Sequence, residues 1–469
     1  MSHRPATDAS ATLRSLRLDG SVVRPGDTEW DRARGVWNGM IDRQPIAVIR
    51  AASTDDVIAG IGVARDHGLA LAIRGGGHNV AGNGTVDAGL VIDLAAMDRA
   101  QVEPDTRIVT VGGGATLGTL DGGTIGHRTV VPAGVVSGTG IGGLTLGGGM
   151  GWLTRAHGLS IDNLLGATLV TAEGRVVVTS AEEEPDLFWG IRGGGGNFGV
   201  VTELRFQGVP LGPDVYAGAT FYTQARWKEA LHLYADWSRH IPDELTTIVT
   251  WMTPPDEWLP EHLQGQPMLV LSWCWAGSDA SDGERAVADL LAASPDHVAA
   301  GPTPWLDLQS SADAAFPWGI HAYFKSTYLG DLDEAAIATL VEHAARRSSP
   351  LAGTDIHQLG GAYARVADAA TAFGRRDAGF ILNIWGVWED PADDTREMAW
   401  VRDFWSAMQA HASGGHYVNF LGFEEGPELR QQIRDSYLPA TWERLIELKT
   451  RWDPSNLFRL NHNIPPRGE

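Results

Sequence analysis

Glycine is the residue that most constrains this chain. There are 58 glycines in 469 residues, and they crowd before residue 200 in runs that neither a helix nor a regular strand accommodates well. Three runs stand out: Gly75-Gly76-Gly77 between Arg74 and His78-Asn79, Gly140 to Gly151, and Gly193 to Gly199. Such density lets backbone N–H groups converge on an anion without interference from Cβ atoms, as a pyrophosphate cradle requires. A phosphate-binding P-loop needs Gly-Lys-Ser/Thr opening a helix, and the chain has no such tripeptide. A Rossmann fingerprint lies between a strand and a helix, whereas Gly75 to Gly77 joins the apolar run Leu69 to Ile73 to the apolar run Leu90 to Ile92. One such cluster alone reads as turns and close strand packing; three in one half point to close approach of a ligand.

The surrounding pattern is β and α in turn. Ala47 to Ile49 predicts a strand, Ser53 caps a helix ending at Gly68, Ile108 to Val111 is a strand, and Thr116 to Leu120 a short helix. A hairpin is expected around Glu173-Gly174, a helix over Pro185 to Ile191 and a strand over Val200 to Phe206. After Gln207 glycine thins and tryptophan concentrates, with apolar runs at Met268 to Leu271 and Phe380 to Ile384 between helical segments at Asp333 to Arg347 and Thr395 to Met408. Ala440 to Arg451 is an amphipathic helix stopped by Asp453-Pro454. The reading is an α+β protein of two domains.

Bulk properties narrow the partners. A formal net charge of -22 argues against nucleic acid and anionic membrane surfaces. The single Cys274 leaves no internal disulfide or multi-cysteine metal site, so no metal is expected. No signal peptide or membrane span is legible, which predicts a cytoplasmic protein, either a monomer or a homodimer. His78, flanked by glycine, is a nucleophile while its imidazole is neutral.

Taken together, Arg74 to Asn79, Pro132-Ala133-Gly134 leading into Gly140 to Gly151, Gly158 to Asn163, Arg192 to Gly199 and Asp453 to Ile464 resemble the berberine-bridge-enzyme-like branch of the vanillyl-alcohol-oxidase flavoproteins (PCMH-type FAD-binding). The resemblance spans nearly the whole chain. It implies an FAD-binding domain at 1–206 and 422–469, and a substrate domain at 207–421 whose antiparallel sheet covers the flavin. It also implies an oxidase that passes hydride from an alcohol, sugar or natural-product skeleton to FAD and electrons on to O2. A flavin dehydrogenase with another acceptor and a catalytically silent binding protein on the same scaffold stay open.

Residue by residue, the resemblance makes His78 the histidine bonded to the flavin 8α-methyl carbon. Val136 stands where many relatives carry a second, cysteinyl link, so a single covalent bond is expected. Thr139 stands at the oxygen gate. Gly75, Gly76, Gly77, Asn79, Gly134, Gly140, Gly142, Gly143, Gly148, Gly151, Asn163, Asn197, Gly199, Val200, Asn461 and Asn463 join Arg74 as expected cofactor contacts, with turn chemistry a near-equal reading for Asn79 and Asn163. For the catalytic base, Tyr437 leads. Asn383, on the strand where relatives carry an acid or tyrosine, cannot act as a base, and Tyr363, Tyr323 and Tyr328 are substitutes. Asn383, Trp385 and Val387 share a strand face expected to line the substrate site, and His357 and His321 are further candidates.

Overall fold

The computed structural model describes residues 4–424 and 426–468. Residues 1–3 and 469 of the expected first domain, and residue 425 of its return segment, lie outside the described residues.

The first lobe holds two sheets. Ala47–Arg50 and Leu71–Arg74 each run parallel to Leu90–Asp93, and Ser21–Val23 completes a four-stranded sheet. Helix Thr54–Asp66 supplies the crossover; its cap is Ser53, whose side chain accepts from the Asp56 N–H. The loop of Gly75 to Gly77 leaves the end of one parallel strand and returns to its neighbour, as the strand-to-strand reading requires. At that end Arg74 and Asp93 face each other in register and form a buried ion pair at 2.7 Å. The second sheet is antiparallel, in the order Ala100–Glu103, Ile108–Gly112, Val200–Gln207, Leu164–Val170, Val176–Ser180. Within the glycine run, Ile141–Leu146 forms a short helix, because Ile141, Thr145 and Leu146 bury one side of it.

The second lobe is a seven-stranded antiparallel sheet ordered His297–Pro304, Asp214–Thr223, Met268–Trp275, Leu245–Met252, Gly353–Gln358, Phe380–Trp388, His321–Leu329. Leu382 and Ile384 on one face pack with Trp400, Val401 and Phe404 of helix Asp394–Met408 in the largest apolar core. The other face turns to the glycine loops. The chain then returns: Val418, Leu421, Ile433, Trp442 and Leu445 belong to the first lobe's core, so the return begins slightly before residue 422. Among the described residues no helix is long and apolar enough to cross a membrane.

Buried cations pin the lobes together. Arg155 of the first lobe donates to the carbonyls of Leu245 (2.8 Å), Leu359 (2.5 Å) and Ile241 (3.3 Å), and Arg376 grips Asp162 through both terminal nitrogens at 2.8 and 2.7 Å. Charge-assisted and bidentate bonds of this kind fix orientation as well as adding energy.

Candidate active site

A cavity of about 340 Å³ opens between the lobes, floored by the glycine loops and roofed by the second lobe's sheet. Gly76 and Gly140 pass backbone to backbone: a Cβ on Gly76 would stand 2.4 Å from the Gly140 nitrogen. Gly77 has φ +66, where a side chain would be strained, and this turn carries the chain into His78. At Gly143 an added Cβ would meet nothing within 4 Å, so the wall there is bare backbone facing open space.

Most of the expected cofactor contacts come together on this wall: Arg74 to Asn79, Gly134, Val136, Thr139, Gly140, Gly142, Gly143, Asn197, Gly199, Val200 and Asn461. Four do not. Asn163 spends its amide on the carbonyls of His157 (2.9 Å) and Leu159 (3.0 Å), which is turn chemistry. Gly148 packs on Phe373 and Tyr417, Gly151 on the Ala133 carbonyl, and Asn463 lies off the wall. Two wall residues act as supports. Arg74 is committed to Asp93 and to the Gly35 carbonyl at 2.7 Å, and the Asn79 side chain accepts from the Asn83 N–H at 3.3 Å within a turn.

The tail is stitched to the third glycine run. Asn197 donates to Gly194 (2.8 Å) and His462 (3.2 Å) and accepts from Ile464 N–H (3.0 Å), while Asn461 donates to Gly196 (3.1 Å). Below them the fully buried Lys449 ammonium donates to Asn197 O (2.9 Å), Phe458 O (3.0 Å) and Asp453 (2.8 Å). Asp453 therefore does more than stop a helix: its carboxylate also accepts from the Leu457 and Phe458 amides.

His78 lies against Trp37, ring centroids 4.7 Å apart and planes 16° from parallel. Burial lowers its pKa to about 4, so the imidazole is neutral across the physiological range. Val136 is on the cavity wall, and next to it the Ser137 N–H and hydroxyl both donate to Asp313. Cys274 is packed in the second lobe with Val215, Ala217 and Ile248, away from the cavity, and burial pushes its thiol well above the ordinary range.

On the roof the ladder sets the chemistry. Asp355 pairs directly with Asn383 on one side and Thr250 on the other, so the three side chains share the cavity-facing side. Thr250 donates to Asp355 at 2.8 Å. Asp355 lines the cavity, and burial pushes its pKa up to about 7, outweighing the lowering effect of Thr250 and of the Trp385 indole beside it. Two residues along, His357 also lines the cavity, and burial lowers its pKa to about 4. Asn383 keeps a buried Oδ1 with no partner among the described residues, as does Asn461 below. Phe316, Phe324, Phe420 and Trp37 supply aromatic walls. Trp385 sits just behind, its ring 5.2 Å from Phe316, and Val387 packs in the same cluster.

Asp355 was not singled out in the sequence, and neither was Tyr417, whose buried hydroxyl accepts from Gly149 N–H and Asn419 at 3.0 Å each. Of the expected bases, Tyr437 lines the cavity but donates its proton to Gly193 O at 3.2 Å, and burial raises its pKa. Tyr363 is not brought to the cavity; its hydroxyl donates to Arg375 O at 2.5 Å. Tyr323 is bonded to Glu424, Tyr328 lies in a buried aromatic cluster, and His321 pairs with Asp394 at 2.8 Å, all off the cavity wall.

A bare-backbone cradle with an orphaned amide oxygen at Asn461, facing a roof that carries a second at Asn383 beside one carboxyl with a raised pKa, is the site of a two-lobe, nucleotide-cofactor oxidoreductase. The fit to a flavin dinucleotide rests on that cradle and on the neutral imidazole at its edge. Comparison with known proteins agrees. Residues 45–180 match the FAD binding domain family, and residues 416–465 match the berberine and berberine-like family. An FAD-linked oxidoreductase of Bacillus subtilis is 29% identical, covering 97% of this chain and 98% of its own. (R)-6-hydroxynicotine oxidase of Paenarthrobacter nicotinovorans is 28% identical over 97% and 98%. The crystal structure of 6-hydroxy-D-nicotine oxidase from Arthrobacter nicotinovorans superposes with a TM-score of 0.84 at 26% identity, covering 96% of this chain and 99% of that one. The chain is an FAD-linked oxidoreductase that carries an FAD-binding domain and a berberine-like C-terminal segment and is similar to such enzymes over nearly its whole length.

Proposed function

We propose that this enzyme is an oxidase that carries FAD on a single covalent bond through His78 and oxidises a C–H bond of an alcohol, sugar or natural-product substrate, with O2 as the final acceptor and hydrogen peroxide as product. Bound FAD supplies the hydride acceptor and the reaction with oxygen. The glycine loops, Asn197 and Asn461 hold the cofactor, and Thr139 stands on the wall as the oxygen gate. Asp355 takes the substrate hydroxyl proton. A carboxyl with pKa about 7 is charged in a useful fraction at neutral pH yet basic enough to accept that proton. Asn383 and His357 orient the same hydroxyl as donor and acceptor, and the aromatic walls exclude water.

The observation that carries the reading is the raised carboxyl of Asp355 on the cavity roof, opposite Asn383. It supplies the acid that the Phe380–Trp388 strand lacks, and so weighs against a catalytically silent scaffold. The test is peroxide yield per substrate turnover: one equivalent supports an oxidase, and flavin bleaching with no peroxide points to a dehydrogenase.

Two further outcomes are expected. Acid-precipitated wild-type protein stays yellow, whereas His78→Ala releases its colour to the supernatant; colour released by both refutes the link. Tyr437→Phe, which removes only the bond to Gly193, costs about 1 kcal/mol of stability and leaves anaerobic flavin reduction within a few-fold of wild type. A hundred-fold fall in that rate would return Tyr437 to the role of base.

A further inference from the structure

We propose that Trp37 is the positioning residue for covalent flavin attachment, holding the His78 imidazole in the one plane from which it bonds the flavin methyl carbon. The inference rests on the His78 link proposed above. In that step the imidazole loses its N–H proton and an N–C bond replaces one C–H bond of the methyl group. The two electrons and two protons released pass to O2 as hydrogen peroxide. The step needs a neutral ring and a defined ring direction.

Burial supplies the neutrality, with the His78 pKa lowered to about 4. The torsion that turns an imidazole about its Cβ–Cγ bond is broad, so beyond the ring's hydrogen bond to its own backbone a neighbour is needed to hold its direction. The ring of Trp37 supplies it, lying 4.7 Å from His78 and 16° from parallel. A stack that close leaves the imidazole free to slide in its plane but not to flip out of it.

Trp37 is itself held by both lobes and is only 2% exposed. Its backbone N–H donates to Gly77 O at 3.0 Å, tying it to the residue before His78. Its carbonyl accepts from Gly319 N–H at 2.9 Å, and its indole N–H donates to Phe316 O at 2.9 Å. Gly319 and Phe316 lie in the second-lobe segment that also brings Asp313 to Ser137 beside the His78 loop. The platform is complete only with the lobes together, so attachment is coupled to their docking.

The test compares Trp37→Leu, which removes the ring, with Trp37→Phe, which keeps an aromatic plane and loses the indole N–H. Total FAD per chain is read from absorbance, and covalent FAD from intact mass and acid precipitation, on holoenzyme purified after matched expression times. Trp37→Leu is expected to keep total FAD near the wild-type level while its covalent fraction falls at least about ten-fold, as a displaced reacting group predicts. Trp37→Phe is expected to recover most of the covalent fraction. The proposal is overturned if Trp37→Leu is as fully linked as wild type, if it loses total and covalent FAD in step, or if Trp37→Phe gives no recovery. Wild-type protein with no covalent FAD would instead remove the His78 reading, and this proposal with it.

Discussion

Asp355→Asn is expected to slow substrate-dependent flavin bleaching by about 10²–10⁴-fold, the range over which a positioned general base contributes. Asn keeps the size of the side chain and its bond to Thr250 but cannot accept a proton, so substrate binding should change far less than the reduction rate. The pH profile provides a second readout. Only the carboxylate is a base, so the wild-type reduction rate should climb as pH rises through about 7 and level off above it, a limb that Asp355→Asn loses. Stability should move the opposite way. The folded pKa lies above the ordinary carboxyl value of 3.8, so the folded state binds the proton more tightly than the unfolded chain. Relative stability is therefore full below pH 4 and is lost as pH rises through about 7, by up to roughly 4 kcal/mol at about 1.4 kcal/mol for each pKa unit. Asp355→Asn should thus unfold at higher denaturant than wild type at pH 8 and at nearly the same concentration at pH 4. An unchanged reduction rate with a good substrate would remove Asp355 from the chemistry.

Asp355 carries no local signal in the sequence. Thr354-Asp355-Ile356-His357-Gln358 looks polar and gives little sign of a buried strand, because alternation puts an acid and a histidine toward the cavity and Ile356 toward the core. The strand Phe380–Trp388 was legible as an apolar run, and its missing acid was legible too. What was not legible was the register: Asp355 lies across the ladder from Asn383, and such a pairing joins residues far apart in sequence. Local signals fared better. The Ser53 cap, the helix Pro185–Ile191 and the strand after it follow from caps, proline and periodicity, which act within a few residues. The glycine loops announced a cradle because their meaning is steric and local. The roles of Tyr437 and Tyr363 depended on where each hydroxyl proton points, and two backbone carbonyls, Gly193 and Arg375, decided that.

The largest stability effect is expected at a residue that touches neither cofactor nor substrate. Lys449 and Asp453 are one helical turn apart and both fully buried. Lys449→Met should lower stability by about 3–5 kcal/mol, because it leaves the Asp453 carboxylate buried without its cation. It also removes one donor from Asn197 O and one from Phe458 O, which keeps the Asn461 amide, and so weakens two of the contacts that hold the tail against the third glycine run. FAD retention should therefore weaken together with stability, measured as non-covalent FAD released on dilution from a His78→Ala background. Adding Asp453→Leu should recover only part of the loss. The double variant no longer buries a lone charge, but the Leu457 and Phe458 amides, which Asp453 accepts at 2.9 and 2.8 Å, are left without an acceptor. Full recovery in the double variant would mean that the pair contributes nothing beyond its own neutralisation. Lys449→Met with an unshifted denaturation midpoint would mean that the ammonium is not what anchors the returning tail.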